Sequence, residues 1–161
     1  MATNKIHIAL VGNPNSGKTS LFNTLTGLNQ KVGNFPGVTV DKKSGGFSVG
    51  DGMKAELIDL PGSYSLYPRR ADEWVSYRVL MNQDEDVKAD VVVIVADAST
   101  LKRNLLFVSQ IIDLKTPAVL ALTMMDVARK KDIIIDIKSL ERELGIPVVP
   151  VNPRKNKGID A

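Results

Sequence analysis

The 161-residue chain has no cysteine, one histidine and one tryptophan, and aromatic residues make up only 5% of it. Without thiols there is no disulfide, no thiolate metal site and no cysteine nucleophile, and a reducing cytoplasm is the natural setting. Long apolar runs are also missing. The longest, residues 91–96, falls far short of the roughly 20 residues a bilayer-spanning helix needs. Residues 1–4 lead straight into a strand pattern, with no signal-peptide core between. Neither charge sign dominates: 21 basic and 18 acidic residues leave a net charge of +3, too slight an excess to call for nucleic acid as a partner. No repeat, low-complexity tract or interdomain linker interrupts the sequence, and its length suits one domain with a proper core.

What is present is an alternation of strand and helix patterns from end to end, which predicts a mostly parallel sheet covered by helices on both faces. Residues 5–11 (KIHIALV) read as a first strand and residues 19–25 as a first helix. Residues 28–37 are rich in Gly, Pro and Asn and read as irregular. Segments 44–49 and 54–58 flank Gly50-Asp51-Gly52 and read as an antiparallel hairpin at one edge of the sheet. A loop over 61–70 precedes a helix over 71–81. The run DVVVIVA at 90–96 has the composition of a central strand buried on both faces. Leu101, Leu105, Val108 and Ile112 step at helical spacing, and 118–123 is another buried strand. Asp136 is placed to cap a helix carrying Ile137, Leu140 and Leu144, ended by Gly145 before a last strand over 146–151. The expected fold is an α/β three-layer domain of about six strands with one antiparallel edge strand. Such a sheet normally carries one more helix than this chain supplies after its last strand. The expectation is therefore a single domain over 1–161, cut from a longer polypeptide.

The most specific chemistry lies at Gly12-Asn13-Pro14-Asn15-Ser16-Gly17-Lys18-Thr19. It fits G-x-x-x-x-G-K-[ST] and stands between a strand and a helix, where a phosphate-binding loop must stand. The glycines let the backbone wrap until its N–H groups converge, and the helix N-terminus adds its positive end. Lys18 can then reach the β- and γ-phosphates, and the Thr19 hydroxyl can ligate Mg²⁺.

A phosphate-binding loop alone does not separate ATPases from GTPases, so the segments downstream of it decide. Asp59-Leu60-Pro61-Gly62 closes a strand pattern; its carboxylate can hold Mg²⁺ through water and its Gly62 N–H can reach the γ-phosphate. Thr39, within Gly37-Val38-Thr39-Val40, offers a hydroxyl to Mg²⁺ and an N–H to the γ-phosphate, so that segment would respond to the triphosphate. Asp126, in Thr123-Met124-Met125-Asp126, can accept both the ring N–H and the exocyclic amine of guanine, an arrangement adenine does not offer. Asn152-Pro153-Arg154 follows the final strand, where a backbone amide would read guanine O6.

Together these segments make the chain resemble the Ras-like, translation-factor-like P-loop GTPases, and within them the N-terminal G domain of the ferrous-iron transport protein B (FeoB) family. The residues that carry the resemblance are GNPNSGKTSLFN at 12–23, VGNFPGVTV at 32–40, DLPGSYSL at 59–66 and MMDVA at 124–128. It implies a regulatory GTPase at the cytoplasmic face of the bacterial inner membrane, followed in its own polypeptide by a helical regulatory domain and an iron permease. It leaves homo-oligomerisation open. The implied nucleotide set is residues 12–20, Gly37, Val38, Thr39, Asp59, Gly62, Thr123, Met124, Asp126, Asn152, Pro153 and Arg154, with Mg²⁺ on Thr19, Thr39 and Asp59. Asn15, Lys18, Thr39 and Gly62 form the catalytic set; in this family an Asn at the position of Asn15 coordinates K⁺, helped by carbonyls from 34–37. The chain departs from the family where Thr123 replaces the usual Asn and where Asn152-Pro153-Arg154 replaces Ser-Ala-Arg. Ser63 stands where Ras-like enzymes place a water-orienting Gln, and Arg69 and Arg70 follow in the same stretch. Slow, K⁺-stimulated GTP hydrolysis is therefore expected, with water positioned mainly by the backbone around Thr39. With no Cys and one His, direct handling of iron by this segment is not expected. Two alternatives remain: a soluble ribosome-assembly or tRNA-modification GTPase, against which DLPGSYSL argues, and a nucleotide switch with negligible turnover.

Overall fold

The computed structural model describes residues 5–35, 37–50, 52–83 and 87–160. The stretch 34–37, the 50–52 turn and the chain ends at 1–4 and 161, all read above, lie wholly or partly outside them. Parallel strands β1 (Lys5–Gly12), β4 (Met53–Asp59), β5 (Val91–Asp97), β6 (Ala118–Thr123) and β7 (Val148–Pro150) form the body of the sheet. Next to β4 run β3 (Asp41–Val49) and β2 (Gln30–Asn34), giving seven strands in the order β2-β3-β4-β1-β5-β6-β7. The helices are α1 (Lys18–Thr26), α2 (Ala71–Leu80), α3 (Leu101–Ile112), α4 (Met125–Lys130) and α5 (Ile137–Leu144).

The α/β, mostly parallel sheet is the one expected, and the structure corrects its details. It has seven strands, because the polar segment 28–37, read as irregular, contains β2. Every residue of β2 is exposed, so no face of it is buried and no alternating pattern could mark it. Its ladder with β3, from Gln30 opposite Gly45 to Asn34 opposite Asp41, holds it instead. The antiparallel strand β3 therefore lies one position in from the edge, paired on its other side with β4. Also unread was α4: Met124 turns the chain at φ 57° and starts a helix directly after β6. The last strand is shortened to Val148–Pro150 between prolines 147 and 150.

The remaining elements follow their local chemistry. Asp136 caps α5 by accepting from Ser139 N at 3.1 Å, and Gly145 ends that helix in the left-handed region at φ 72°. On one face of the sheet α2 and α3 bury Val75, Val79, Phe107, Val108 and Ile111 against Ala9, Ile94, Leu120 and Leu122. On the other, α1 buries Leu21 and Phe22 against Leu10, Leu57, Val95 and Ala121. Ile8, Phe47, Val93 and Val149 on that second face are only partly buried.

Register places the functional loops. Leu10 pairs with Asp59, and Asp97 with Thr123, so neighbouring parallel strands end together and deliver their following loops to one edge. That is where open α/β sheets hold ligands.

Candidate nucleotide-binding site

A cleft of roughly 930 Å³ opens along this edge. The loop between β1 and α1 contributes Asn13, Pro14, Asn15, Gly17, Lys18, Thr19 and Ser20; the loop after β4 contributes Gly62. Thr123, Met124 and Asp126 enter after β6, and Asn152, Pro153 and Arg154 after β7. Fourteen of the residues singled out by sequence thus share one cavity. Gly12 and Ser16 lie beneath it, buried. Asp59 stands at the end of β4 beside Lys18. Gly37, Val38 and Thr39 are outside the cleft lining; Gly37 and Thr39 are exposed, while Val38 packs on the core.

The phosphate loop is shaped by contacts a larger residue would break. Gly17 adopts φ 89° and precedes α1 without any side-chain cap on that helix's first turn, which leaves the positive helix end open for an anion. At Gly12 a Cβ would lie 2.7 Å from the Val95 carbonyl oxygen, so the loop leaves the sheet closer to β5 than any side chain allows. Gly62 is pressed against Pro14, 3.2 Å from a would-be Cβ, which brings the loop after β4 into contact with the phosphate loop. Asn15 is exposed at φ 63°, a left-handed conformation that Asn tolerates better than most residues.

Lys18 forms a hydrogen-bonded ion pair with Asp59 and donates to the Leu60 carbonyl at 2.8 Å. The departure at Thr123 is accounted for by geometry. Its hydroxyl donates to the Ser16 carbonyl and lies 3.2 Å from the Ala96 carbonyl. A single hydroxyl thus ties β6 to the phosphate loop. Asn152 accepts from Lys155 N at 3.3 Å and caps a short turn over Pro153–Lys155, so this loop is ordered locally although Pro153 brings no N–H.

Sequence reasoning noted Arg70 without placing it in the nucleotide set and passed over Asp72, Val127, Val151 and Lys155; all five also line the cleft. Arg70 sits 3.6 Å from Asp72 and 3.7 Å from Glu73 at the start of α2. Lys18, Arg70, Arg154 and Lys155 against Asp72 and Asp126 leave the lining net positive, which suits a phosphorylated ligand. The hard oxygen donors of Thr19 and Asp59 fit Mg²⁺. Ser63 is buried and bonds within its own turn, its hydroxyl donating to the Ser65 carbonyl rather than facing the cleft.

Fold and loops together define a P-loop GTPase-type domain. The family model described as ferrous iron transport protein B matches residues 6–161. Among curated proteins, the Fe(2+) transporter FeoB of Leptospira biflexa is 48% identical over 153 residues, covering 95% of this chain and 22% of that protein. FeoB of Escherichia coli K12 is 45% identical, covering 98% of this chain and 20% of that protein. The G domain of T. maritima FeoB superposes with a TM-score of 0.88 at 41% identity, covering 98% of this chain and 93% of that one. An S. thermophilus NFeoB mutant bound to GDP gives a TM-score of 0.87 at 44% identity, over 96% of this chain and 59% of that one. The chain belongs to the ferrous iron transport protein B (FeoB) family, as its N-terminal G domain. It spans about a fifth of the length of the curated relatives it matches.

Proposed function

We propose that this chain binds GTP and GDP, hydrolyses GTP slowly, and regulates a ferrous-iron transporter from the cytoplasmic side of the membrane. The observation that carries the reading is one cleft lined both by Lys18 and Thr19 and by Asp126 with Asn152, Pro153 and Arg154. The first group matches a polyphosphate and the second the edge of guanine. The S. thermophilus relative bound to GDP supports the same assignment.

Among the described residues no three His, Cys, Asp or Glu gather as a metal cluster. A Mg²⁺ at this site would draw one or two ligands from Thr19 and Asp59, adding Thr39 if its segment folds over the cleft. The nucleotide and water would supply the rest. That ion would neutralise charge on the phosphate oxygens. Nucleotide entry must part Lys18 from Asp59, freeing the ammonium for the β- and γ-phosphates and the carboxylate for the metal. Asn15, exposed at the cleft lip, is the residue we assign to K⁺, whose charge would stand in for an arginine finger. The burial of Ser63 supports a slow intrinsic rate, because its hydroxyl is held within its own turn by the Ser65 carbonyl rather than offered to an attacking water.

The chain is read as residues 1–161 of a larger membrane protein, whose helical regulatory domain and permease are its partners. The partly buried Ile8, Val93 and Val149 on the α1 face are consistent with further polypeptide packing there. Calorimetry with GDP, GTP and ATP tests the reading. GDP should bind and ATP should not, and Asp126→Ala should lose the discrimination; ATP held as tightly as GDP overturns it.

A further inference from the structure

Behind the phosphate loop, two buried amides hold one another. Asn13, the second residue of the loop, is 5% exposed, and Asn104, on α3, is 4% exposed. Asn13 Nδ2 donates to Asn104 Oδ1. Asn104 Nδ2 donates in turn to the Asp97 carbonyl at 3.3 Å and to Thr100 Oγ1 at 3.3 Å. The direction of this chain of bonds is fixed by chemistry. A backbone carbonyl can only accept, so Asn104 must turn its nitrogen to Asp97 and its oxygen to the loop, and Asn13 must meet that oxygen with its own nitrogen.

The anchor is itself rigid. The Asp97 carboxylate accepts from Ser99 N at 2.8 Å and from Ser99 Oγ at 2.6 Å, closing the turn that leads from β5 into α3. The same helix holds the loop after Gly62: the Arg103 guanidinium lies 4.9 Å from the centre of the Tyr64 ring, and Gln110 Oε1 accepts from Leu66 N at 2.8 Å. A small cavity of about 190 Å³ is lined by Asn13, Tyr64, Arg103 and Asn104, so the phosphate loop has room to shift if the amide pair is cut.

We propose that Asn104 is a positioning residue for the phosphate loop, acting through Asn13 to set where the loop's N–H groups point. The inference rests on the nucleotide-binding reading above. Buried polar pairs of this kind are strong when complete and costly when half-made. Removing Asn104 would leave the Asn13 amide buried and without its acceptor, and the loop would move to satisfy it.

The test is a double-mutant cycle read by GDP and GTP dissociation constants, with thermal unfolding alongside. Asn104→Ala and Asn13→Ala should each weaken both nucleotides by about tenfold, the scale of one buried hydrogen bond with its partner stranded. The double variant should be no weaker than the worse single one, because the second substitution has nothing left to remove. Two results overturn the proposal: affinity within twofold of wild type in Asn104→Ala, whatever its melting temperature, or losses that multiply to about a hundredfold in the double variant. Should Asn104→Ala fail to fold, Thr100→Val removes one anchor of the Asn104 amide at an exposed position. It should weaken GDP by about threefold, and an unchanged constant there counts against the proposal. A wild-type chain that holds no guanine nucleotide sinks the functional reading and this inference together; wild-type binding with unaffected variants sinks the inference alone.

Discussion

Thr123→Val is a sharp perturbation because it removes one oxygen and leaves the shape of the side chain almost unchanged. Thr123 is 2% exposed, and its hydroxyl donates to the Ser16 carbonyl. In a trans peptide the carbonyl and the following N–H point in opposite directions. Holding the Ser16 carbonyl against β6 therefore aims the Gly17 N–H away from the sheet, toward the cleft that Gly17 lines. With valine the buried carbonyl loses its donor, a cost of about 1–3 kcal/mol. For a domain of this size each kcal/mol moves the melting temperature by roughly 2–4 °C, so a fall of about 4–8 °C is expected for a loss near 2 kcal/mol. GDP affinity should fall as well, by about tenfold, since a carbonyl free to turn takes the Gly17 N–H with it. Thermal unfolding followed by circular dichroism and GDP titration at a temperature well below the transition separate the two effects. A melting temperature within 1 °C of wild type, or GDP binding unchanged in a measurably destabilised variant, would refute the reasoning.

Three further perturbations probe other links. Gly12→Ala drives a Cβ to 2.7 Å from the Val95 backbone oxygen, and because backbone cannot move aside the cost should reach about 1–3 kcal/mol, visible in urea denaturation. Glu56 lies partly buried on β4, which pushes its carboxyl up, but the Lys5 ammonium at 3.1 Å, with His7 and Lys42, outweighs burial and holds the pKa below its ordinary value. A lowered folded pKa gives stability that is present above the unfolded value near 4.5 and lost as pH falls through the folded one. Lys5→Met should flatten the acid limb of the stability profile below about pH 4.5, by no more than about 1 kcal/mol for so exposed a pair; an unchanged limb would count against the pairing. Asn15→Ala should abolish the preference of GTP hydrolysis for KCl over NaCl while leaving the fold intact, and retained potassium stimulation would remove Asn15 from that role.

Local patterns were legible wherever one face of an element is buried or one residue type has a local job. The capping of α5 by Asp136 and its termination at Gly145 could be read from the chain because both act within a few residues of themselves. So could β6, whose bounds 118–123 are those the apolar run implied. The phosphate loop was legible for a related reason: its backbone geometry demands particular residues at fixed spacing. Polar β2 was not legible, since what stabilises it is the ladder offered by β3 rather than anything in QKVGN itself. The short helix α4 was missed because it starts from a left-handed Met124, a conformation with no sequence signal of its own.

The sequence by itself determined the chemistry available to this protein: a glycine-shaped loop with Lys18 and Thr19, a carboxylate at Asp126, and no thiol anywhere. These are properties of single residues and short spacings, and they survive without knowledge of what packs on what. Only the tertiary structure decided who holds whom. That Lys18 rests on Asp59, that Thr123 ties down Ser16, and that Asn104 meets Asn13 from 91 residues away all depend on strand register and on how α3 crosses the sheet. Such contacts join residues far apart in the chain, and their energy exists only once the whole sheet has closed around them.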